Sequence, residues 1–254
     1  MRILRLCPAL RQSFRCFQAK PGARGLQLSM KQTLAEILAR ADALYEKRGE
    51  TGNVRACVEL LESAEQSSDY EVAWREGRAL FFLGQEAERE GERRSLHQRG
   101  AGSCQRASQD QPFRVEAHFW LGVNLALLAQ TERPFRALRH ALVARRALRL
   151  AARINPAYHA AAPLRVLARL EHKLPKIFGG NRTRARANFE DAIALAPANT
   201  VTRIYFAEML IDEGKPDEAK EQLEEILRAP VEPSWAFETK RDKRAAEEYL
   251  RRLK

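Results

Sequence analysis

The chain has 254 residues, of which 45% are hydrophobic and 30% are charged, and its formal net charge is +11. This composition supports a folded core and excludes a disordered polyelectrolyte. No apolar run approaches the roughly 20 residues that span a bilayer, so the sequence predicts no transmembrane helix. The four cysteines form no CxxC pair, which favours a reducing compartment over a disulfide framework or a zinc site. We therefore expect a cytoplasmic protein that needs no cofactor and no metal.

The first segment, residues 1–30, contains six basic residues and no acid. Four of its apolar residues share one helical face: Leu6, Leu10, Phe14 and Phe17. Arginines surround that face, a pattern typical of an organelle-targeting presequence, although Pro8 interrupts it. The alternative is a disordered extension upstream of a natural start at Met30. Residues 1–30 therefore predict either organelle targeting or an extension without a folded structure.

From residue 31 onward, apolar residues recur at helical spacing. The first predicted helix is "LAEILARADALYE", which Gly49 and Gly52 close. Further helices are predicted at about 53–67, 70–90, 94–110, 113–132, 134–153, 157–173, 182–195, 200–213, 216–228 and 237–253. No segment alternates apolar and polar residues for long enough to indicate a sheet. The predicted fold is all-α.

An internal repeat predicts how these helices pack. Gly180, Ala185, Phe189 and Ala192 recur 34 positions later as Gly214, Ala219, Leu223 and Ile226. Weaker copies precede them at Ala144, Leu148, Ala151 and Pro156, at Gly100, Cys104, Ala107 and Pro112, and at Ala56, Leu60, Ser63 and Ser68. Residues at i, i+4 and i+7 share a helix face, where small residues admit a neighbouring helix and a large one fills the space between turns.

This 34-residue period is that of the tetratricopeptide repeat, which the chain resembles over about 31–253. The stretches "ILARADALYE", "EAHFWLGVNLALLA" and "APVEPSWAFETKRDKRAAEEYL" also resemble two divergent groups, the TRAP-transporter-associated T-components and the regulator of microtubule dynamics family. The resemblance implies a right-handed α-solenoid of helix hairpins and a binding scaffold without enzymatic activity. We expect a repeat domain at 31–230, followed at 231–254 by a linker and a capping helix.

Two departures from the ordinary repeat length are evident. Leu121-Gly122 and Pro156 are separated by 34 residues where an ordinary repeat has 24. This spacing predicts that helices 113–132 and 134–153 are both longer than usual. The insertion "HKLPKIFGGN" at 172–181 is predicted to separate two helices of the following repeat.

The family resemblance also implies a concave groove lined by the first helix of each hairpin. Carried onto this chain, the motif positions and one related polar position give candidate ligand-binding residues at Arg75, Phe82, Glu116, Phe119, Asn124, Ile204 and Glu208. Such a groove suits a protein or peptide partner with apolar anchors, which is the leading hypothesis. The alternative function is a carrier of a small apolar ligand, as in T-components. The groove is equally well explained as one filled by the chain's own side chains.

A basic region lies between Arg133 and Leu170, which contains nine arginines and no acid. On the helix at 134–153, four arginines are predicted opposite the packing face and exposed to solvent: Arg139, Arg146, Arg149 and Arg153. The plainest account of this patch is a solvated helix face. As a binding surface it would suit an acidic protein, an anionic membrane surface or a second copy of the chain. Nucleic acid is disfavoured because no aromatic rings are interleaved with the arginines. No HExxH, Walker A or GxSxG motif is present, so we expect no catalytic residue.

Overall fold

The computed structural model describes residues 33–64 and 69–253. The predicted segment 1–30, and Ser68 of the weakest repeat copy, lie outside these residues. Across the described ranges there are α-helices and short 3-10 turns but no β-strand, which confirms the all-α prediction. The helices are α1 Leu34–Glu46, α2 Asn53–Glu62, α3 Tyr70–Glu86, α4 Glu90–Asp110, α5 Val115–Leu128, α6 Pro134–Ile154, α7 Tyr158–Lys173, α8 Arg182–Leu195, α9 Thr200–Asp212, α10 Pro216–Arg228 and α11 Ala236–Arg252.

Local signals in the sequence explain where several helices begin. Thr33 and Glu36 form a reciprocal capping box at the start of α1, which satisfies two backbone N–H groups that have no partner within the helix. Asn181 and Asn199 cap α8 and α9 through their side-chain oxygens. Pro216 occupies the first turn of α10, where its missing N–H costs nothing.

The helices stack in two layers, as a solenoid requires. Each helix packs against the next one along the chain, and each odd-numbered helix also contacts the odd-numbered helix that follows it. The odd-numbered helices therefore form a continuous inner layer, and the even-numbered helices form the outer layer. Three hydrophobic clusters run along the stack, centred on α1–α4, α3–α7 and α7–α11. This arrangement confirms the predicted α-solenoid.

Small residues allow the layers to approach closely at the positions that the repeat predicts. A Cβ on Gly77 would overlap the Cys104 sulfur, and one on Gly122 would lie 2.6 Å from Leu148 Cγ. In α8, Ala185 and Ala192 are fully buried on either side of Phe189. The helix pairs thus interlock through alternating small and large side chains.

One prediction about helix length is wrong. Helix α5 has 14 residues, an ordinary length, whereas α6 has 21. Pro134 explains where α6 begins, because proline fits the first turn of a helix and restricts Arg133 before it to an extended conformation. The chain accordingly forms a 3-10 turn at Ala129–Thr131 and restarts as α6. The 172–181 insertion does separate α7 from α8, through a 3-10 turn at Lys176–Phe178.

The start of α7 contains a left-handed turn that the sequence does not predict. His159, Ala160 and Ala161 have φ values of 50°, 54° and 57°. Each such residue costs roughly 1–2 kcal/mol relative to the right-handed form. The regular part of α7 follows this turn, with Pro163 near its beginning, a position that tolerates a missing N–H. Surrounding contacts must therefore hold the turn in place.

Candidate functional site

The inner layer carries a continuous column of aromatic rings on its concave side. Neighbouring ring centroids lie 4.8–6.5 Å apart along Tyr45, Phe82, Phe81, Trp120, Phe119, Tyr158 and His159. These residues come from α1, α3, α5 and α7, so the column joins four successive inner helices. Most of the concave face is therefore occupied by the protein's own rings.

The segment after α10, residues 230–238, crosses this face and is here named the strap. Trp235 lies with its ring centroid 4.8 Å from that of His159. Three residues later, the Glu238 carboxylate accepts hydrogen bonds from Arg48 Nε at 2.9 Å and from Arg48 Nη2 at 2.8 Å. Arg48 Nη2 also donates to the backbone oxygen of Ser234 at 2.7 Å. The strap thus joins the C-terminal part of the solenoid to the end of α1.

This contact closes the superhelix. Arg48 and Glu238 are 190 residues apart in sequence, and their exposed fractions are only 6% and 5%. Arg48 also lies over the rings of Tyr45 and Phe82, at 5.0 and 5.6 Å from the centroids. The ion pair is therefore buried and held in a fixed geometry, in which both carboxylate oxygens are used.

The structure places the predicted groove residues of α3 in internal contacts. Arg75 donates to Asp42 at 3.0–3.1 Å and to the Glu71 carboxylate at 2.6 Å. Phe82 packs edge-on against Tyr45. Both side chains are half-buried, and both are committed to partners within the chain.

The predicted residues of α5 are likewise engaged. Glu116 accepts hydrogen bonds from Tyr70 at 3.0 Å and from Arg114 at 2.8 Å. Phe119 is buried within the aromatic column. Asn124 is fully buried, and its amide nitrogen donates to the backbone oxygens of Gly77 at 2.9 Å and Trp120 at 2.8 Å.

In α9, the two predicted residues are also buried and lie near the C-terminal end of the stack. Ile204 belongs to the hydrophobic cluster of α7–α11. Glu208 is bonded by Arg169 and accepts a hydrogen bond from Tyr249 at 3.0 Å. All seven predicted groove residues thus belong to the packed inner layer, and a role for them in ligand binding remains a prediction that requires this layer to be uncovered.

Sequence reasoning did not identify the strap contacts. Trp235 did carry a signal, because a large ring between Pro233 and the last helix lies outside every predicted helix. A bulky aromatic in a linker needs an apolar partner elsewhere in the chain. The identity of that partner depends on the curvature of the whole stack, which no local pattern specifies.

A small pocket of about 260 Å³ lies beside the strap. Its walls come from the left-handed turn, the α8–α9 loop and the strap, through Ala160, Ala196–Thr200, Pro230, Glu232, Trp235 and Thr239. Pockets that enclose small-molecule ligands usually measure about 300–1,000 Å³. The volume therefore gives only weak support to the carrier hypothesis.

The exposed face of α6 differs from the concave face, because three of its arginines have no acidic partner among the described residues. Arg139, Arg146 and Arg153 are exposed and form no ion pair with any described residue. Between them, Leu142 and Val143 are 38% and 46% exposed. We name these five residues the α6 face. Their spacing places basic and aliphatic side chains along one side of the helix.

Arg149 departs from the prediction that it points to solvent. Its Nη2 lies 3.0 Å from a carboxylate oxygen of Glu171, which is almost completely buried at the end of α7. The packing of α6 against α7 brings these groups together. Arg149 therefore neutralises a buried acid and is not a free member of the basic face.

Stability is expected to fall as the pH is lowered from 7.5 to 5. Burial lowers the pKa of His97 to about 4, and the ring interacts with Asn124 through Nδ1 at 3.3 Å. Because an unfolded histidine has a pKa near 6.5, the unfolded chain binds more protons between these two values. The stabilisation is complete above about pH 6.5 and is lost towards pH 4.

For His97 alone we expect a loss of about 1–2 kcal/mol at pH 5. Urea unfolding at both pH values measures it, and His97→Gln should show a shallower pH dependence than the unmodified protein. His159 and His172, whose pKa values burial also lowers, retain their contributions in this variant. An identical pH dependence in the two proteins would contradict the assignment.

Two further features bear on function. Among the residues that the structure describes, no group of three or more His, Cys, Asp or Glu side chains is placed to hold a metal ion. In the same part of the chain, none of the helices combines the length and the apolar character needed to cross a bilayer.

Comparison with known structures identifies similar folds. TTC0263, a thermophilic tetratricopeptide protein of Thermus thermophilus, is 20% identical, with a TM-score of 0.66 over 85% of this chain and 98% of that one. MamA is 16% identical, with a TM-score of 0.48 over 78% of this chain and 95% of that one. The likeness to TTC0263 supports the fold alone. No curated protein matches the chain significantly.

Two family models match the sequence. The tetratricopeptide repeat model matches residues 180–236, the part in which the 34-residue period is clearest. The model of regulator of microtubule dynamics protein 1-3 matches residues 37–165, slightly more than half of the chain. The resemblances to the tetratricopeptide repeat and to the regulator of microtubule dynamics family are thereby confirmed. The resemblance to T-components stays a prediction. The chain is a divergent tetratricopeptide protein that belongs to the regulator of microtubule dynamics protein 1-3 family.

Proposed function

We propose that this protein is a non-catalytic scaffold that docks an acidic protein partner on the α6 face. Tetratricopeptide folds typically mediate protein interactions. In this chain, the concave face and the α6 face are the two surfaces considered for binding a partner. The concave face is covered by the strap and the aromatic column. The α6 face is open, which makes it the better supported docking surface.

The observation that carries this proposal is the combination on α6 of exposed arginines without acidic partners and exposed aliphatic side chains between them. On α10, by contrast, three of the acids pair with arginines: Glu218 with Arg186, and Glu224 and Glu225 with Arg228. The three arginines of the α6 face have no such partners among the described residues. Such cations attract an acidic surface, and the exposed Leu142 and Val143 offer apolar area at the centre of the contact.

The combination of arginines and exposed aliphatic side chains on the α6 face favours a protein over the other anionic partners. Aliphatic side chains between arginines suit the apolar stripe of an acidic amphipathic helix. A nucleic-acid-binding surface presents several rings for base stacking among its cations. On α6 Phe135 is exposed at the first turn, but the segment between Arg139 and Arg153 carries aliphatic side chains and no phenylalanine, tyrosine or tryptophan. A small apolar ligand is a second candidate, and the pocket of about 260 Å³ beside the strap favours it weakly.

Reversing the three charges tests the proposal. A photo-reactive amino acid at Val143 is expected to cross-link an acidic protein in cells, and Arg139→Glu, Arg146→Glu and Arg153→Glu together should reduce the yield at least tenfold. A tenfold loss corresponds to about 1.4 kcal/mol, which is modest for three charge reversals in one contact.

The matched control reverses three exposed basic residues of α11: Lys240→Glu, Arg244→Glu and Arg251→Glu. This variant has the same net charge, so its cross-linking yield should equal that of the unmodified protein. If the cross-linking yield fell equally in both triple variants, the yield would depend on net charge and not on the α6 face. Cross-linking to RNA or lipid in place of protein would overturn the proposal.

A further inference from the structure

The strap resembles a bound peptide more than a structural linker. Residues 231–234 are exposed, and the main contacts across the concave face come from Trp235, Glu238 and the backbone oxygen of Ser234. The first two are three residues apart, so one aromatic ring and one carboxylate define the interaction. Trp235 ends a 3-10 turn at Pro233–Trp235, and Glu238 lies in the first turn of α11, so both anchors come from one short helical segment. Helical segments with a few anchoring side chains are a common way in which peptides are recognised by larger folds.

The surface that receives the strap is built by other parts of the chain. Tyr45 comes from α1, and Arg48 follows two residues after the end of that helix. Phe82 comes from α3, Trp120 from α5, and His159 lies in the turn at the start of α7. These residues contact one another through ring–ring and cation–ring pairs. The receiving surface is therefore largely pre-formed, which reduces the entropy cost of binding.

Removal of the strap need not unfold the C-terminal helix. Beyond Glu238, α11 is anchored through Ala245 and Ala246 in the last hydrophobic cluster. The Thr200 hydroxyl also donates to the Asp242 carboxylate at 2.8 Å. Displacement therefore needs to open only residues 230–238, including the first turn of α11.

The receiving surface also contains buried donor groups that an acidic ligand could use. Among the described residues, the Tyr45 hydroxyl and Arg78 Nε are buried without a hydrogen-bond partner. Arg165 is only 4% exposed. Its Nη1 donates to three neutral oxygens: the Ala160 backbone oxygen at 2.9 Å, the Asn199 side chain at 3.2 Å and the Thr202 hydroxyl at 3.5 Å. Its guanidinium also lies 5.8 Å from the centre of the Trp235 ring. Burial lowers the pKa of Arg165 to about 10, against the opposing effect of the Asp242 and Glu238 carboxylates.

We propose that the concave face is a receptor for peptides that carry an aromatic side chain followed three residues later by a carboxylate, and that the strap occupies this receptor until such a partner displaces it. Arg48 receives the carboxylate, and the His159 ring and the Arg165 guanidinium receive the aromatic side chain. The unpaired donors of Tyr45 and Arg78 are available to additional oxygens of the incoming peptide. This site is separate from the α6 face.

The test uses the full chain and a fluorescein-labelled peptide with the sequence of residues 229–240, APVEPSWAFETK. In a variant with Trp235→Ala and Glu238→Gln the strap loses both anchors, and the peptide is expected to bind at least tenfold more tightly than to the unmodified chain. Fluorescence anisotropy measures the affinity. A control variant, Glu232→Gln, alters an exposed strap carboxylate and should bind the peptide as weakly as the unmodified chain.

Two changes establish specificity. A peptide with alanine for Trp235 or glutamine for Glu238 should bind at least tenfold less tightly. In the variant without strap anchors, Arg48→Gln should also abolish binding, and no charge is left unpaired because Glu238 is already glutamine. Binding that is unaffected by Arg48→Gln, or no binding to a variant whose helical circular dichroism is unchanged, would overturn the proposal.

If the variant without strap anchors does not fold, the unmodified chain still provides a test. A peptide with a photo-reactive residue in place of Trp235 should cross-link, at high concentration, to residues of α5 and α7 beside His159. An excess of unlabelled peptide should suppress this product. Cross-links confined to other surfaces would contradict a receptor on the concave face.

Discussion

Replacing Arg48 with alanine is expected to destabilise the protein by about 3–5 kcal/mol. The substitution leaves the Glu238 carboxylate buried without its partner and removes the donor to the Ser234 oxygen. Breaking a buried ion pair from one side has a cost of this size because the remaining charge is neither solvated nor paired. Urea unfolding at pH 7.5 measures the change in the free energy of unfolding.

An exposed ion pair provides the matched control. Arg55 lies 3.9 Å from Glu92, and both side chains are largely accessible. Arg55→Ala should cost less than about 1 kcal/mol, since exposed pairs contribute little. In a second comparison, Arg48→Met combined with Glu238→Leu should be less destabilising than Arg48→Ala alone, because no buried charge remains. If Arg48→Ala and Arg55→Ala cost the same, the strap contact is not a buried ion pair in solution.

Replacing Phe189 with alanine is expected to cost about 3–5 kcal/mol as well, for a different reason. The Phe189 ring is fully buried between Ala185 and Ala192 and stacks on Phe206 with centroids 5.4 Å apart. Truncation removes apolar contacts and leaves a cavity that neighbouring helices fill only in part. The loss is measured by urea unfolding.

Leu195→Ala is the control in the same helix, because that side chain is 49% exposed. It should change the free energy of unfolding by less than about 1 kcal/mol. If Phe189→Ala proves too unstable to purify, Phe189→Leu should show a smaller loss, of about 1–2 kcal/mol, because most of the volume is kept. A loss below about 1 kcal/mol for Phe189→Ala would contradict the inferred packing of the repeat.

Much of the fold could be predicted because its signals are local. Helix α8 has the predicted bounds because Asn181 caps its start, and α10 has them because Pro216 fits its first turn. The alternation of Ala185, Phe189 and Ala192 predicted the close contact between helices, since side-chain size and helical period are both readable from the sequence. The length of α5 was overestimated because the total spacing of a repeat does not show how residues divide between helix and connection.

The site was harder to predict because it depends on distant contacts. Periodicity identified Arg139, Arg146 and Arg153 as exposed, but it did not reveal that Arg149 meets Glu171 on the next helix. The left-handed turn at His159 contains no glycine, so no residue type indicated it. The pairing of Arg48 with Glu238 follows from the curvature accumulated over the whole stack, which a 34-residue pattern does not specify.

The buried link between Arg48 and Glu238 also bears on how the molecule unfolds. In an open array each terminal hairpin has one neighbour and can fray independently of the middle. Here the first hairpin and the last helix hold each other, so neither end can peel away without opening the other. The contact between Arg48 and Glu238 therefore couples the two ends of the stack. We expect the chain to unfold in one cooperative transition, without independent fraying of its terminal helices.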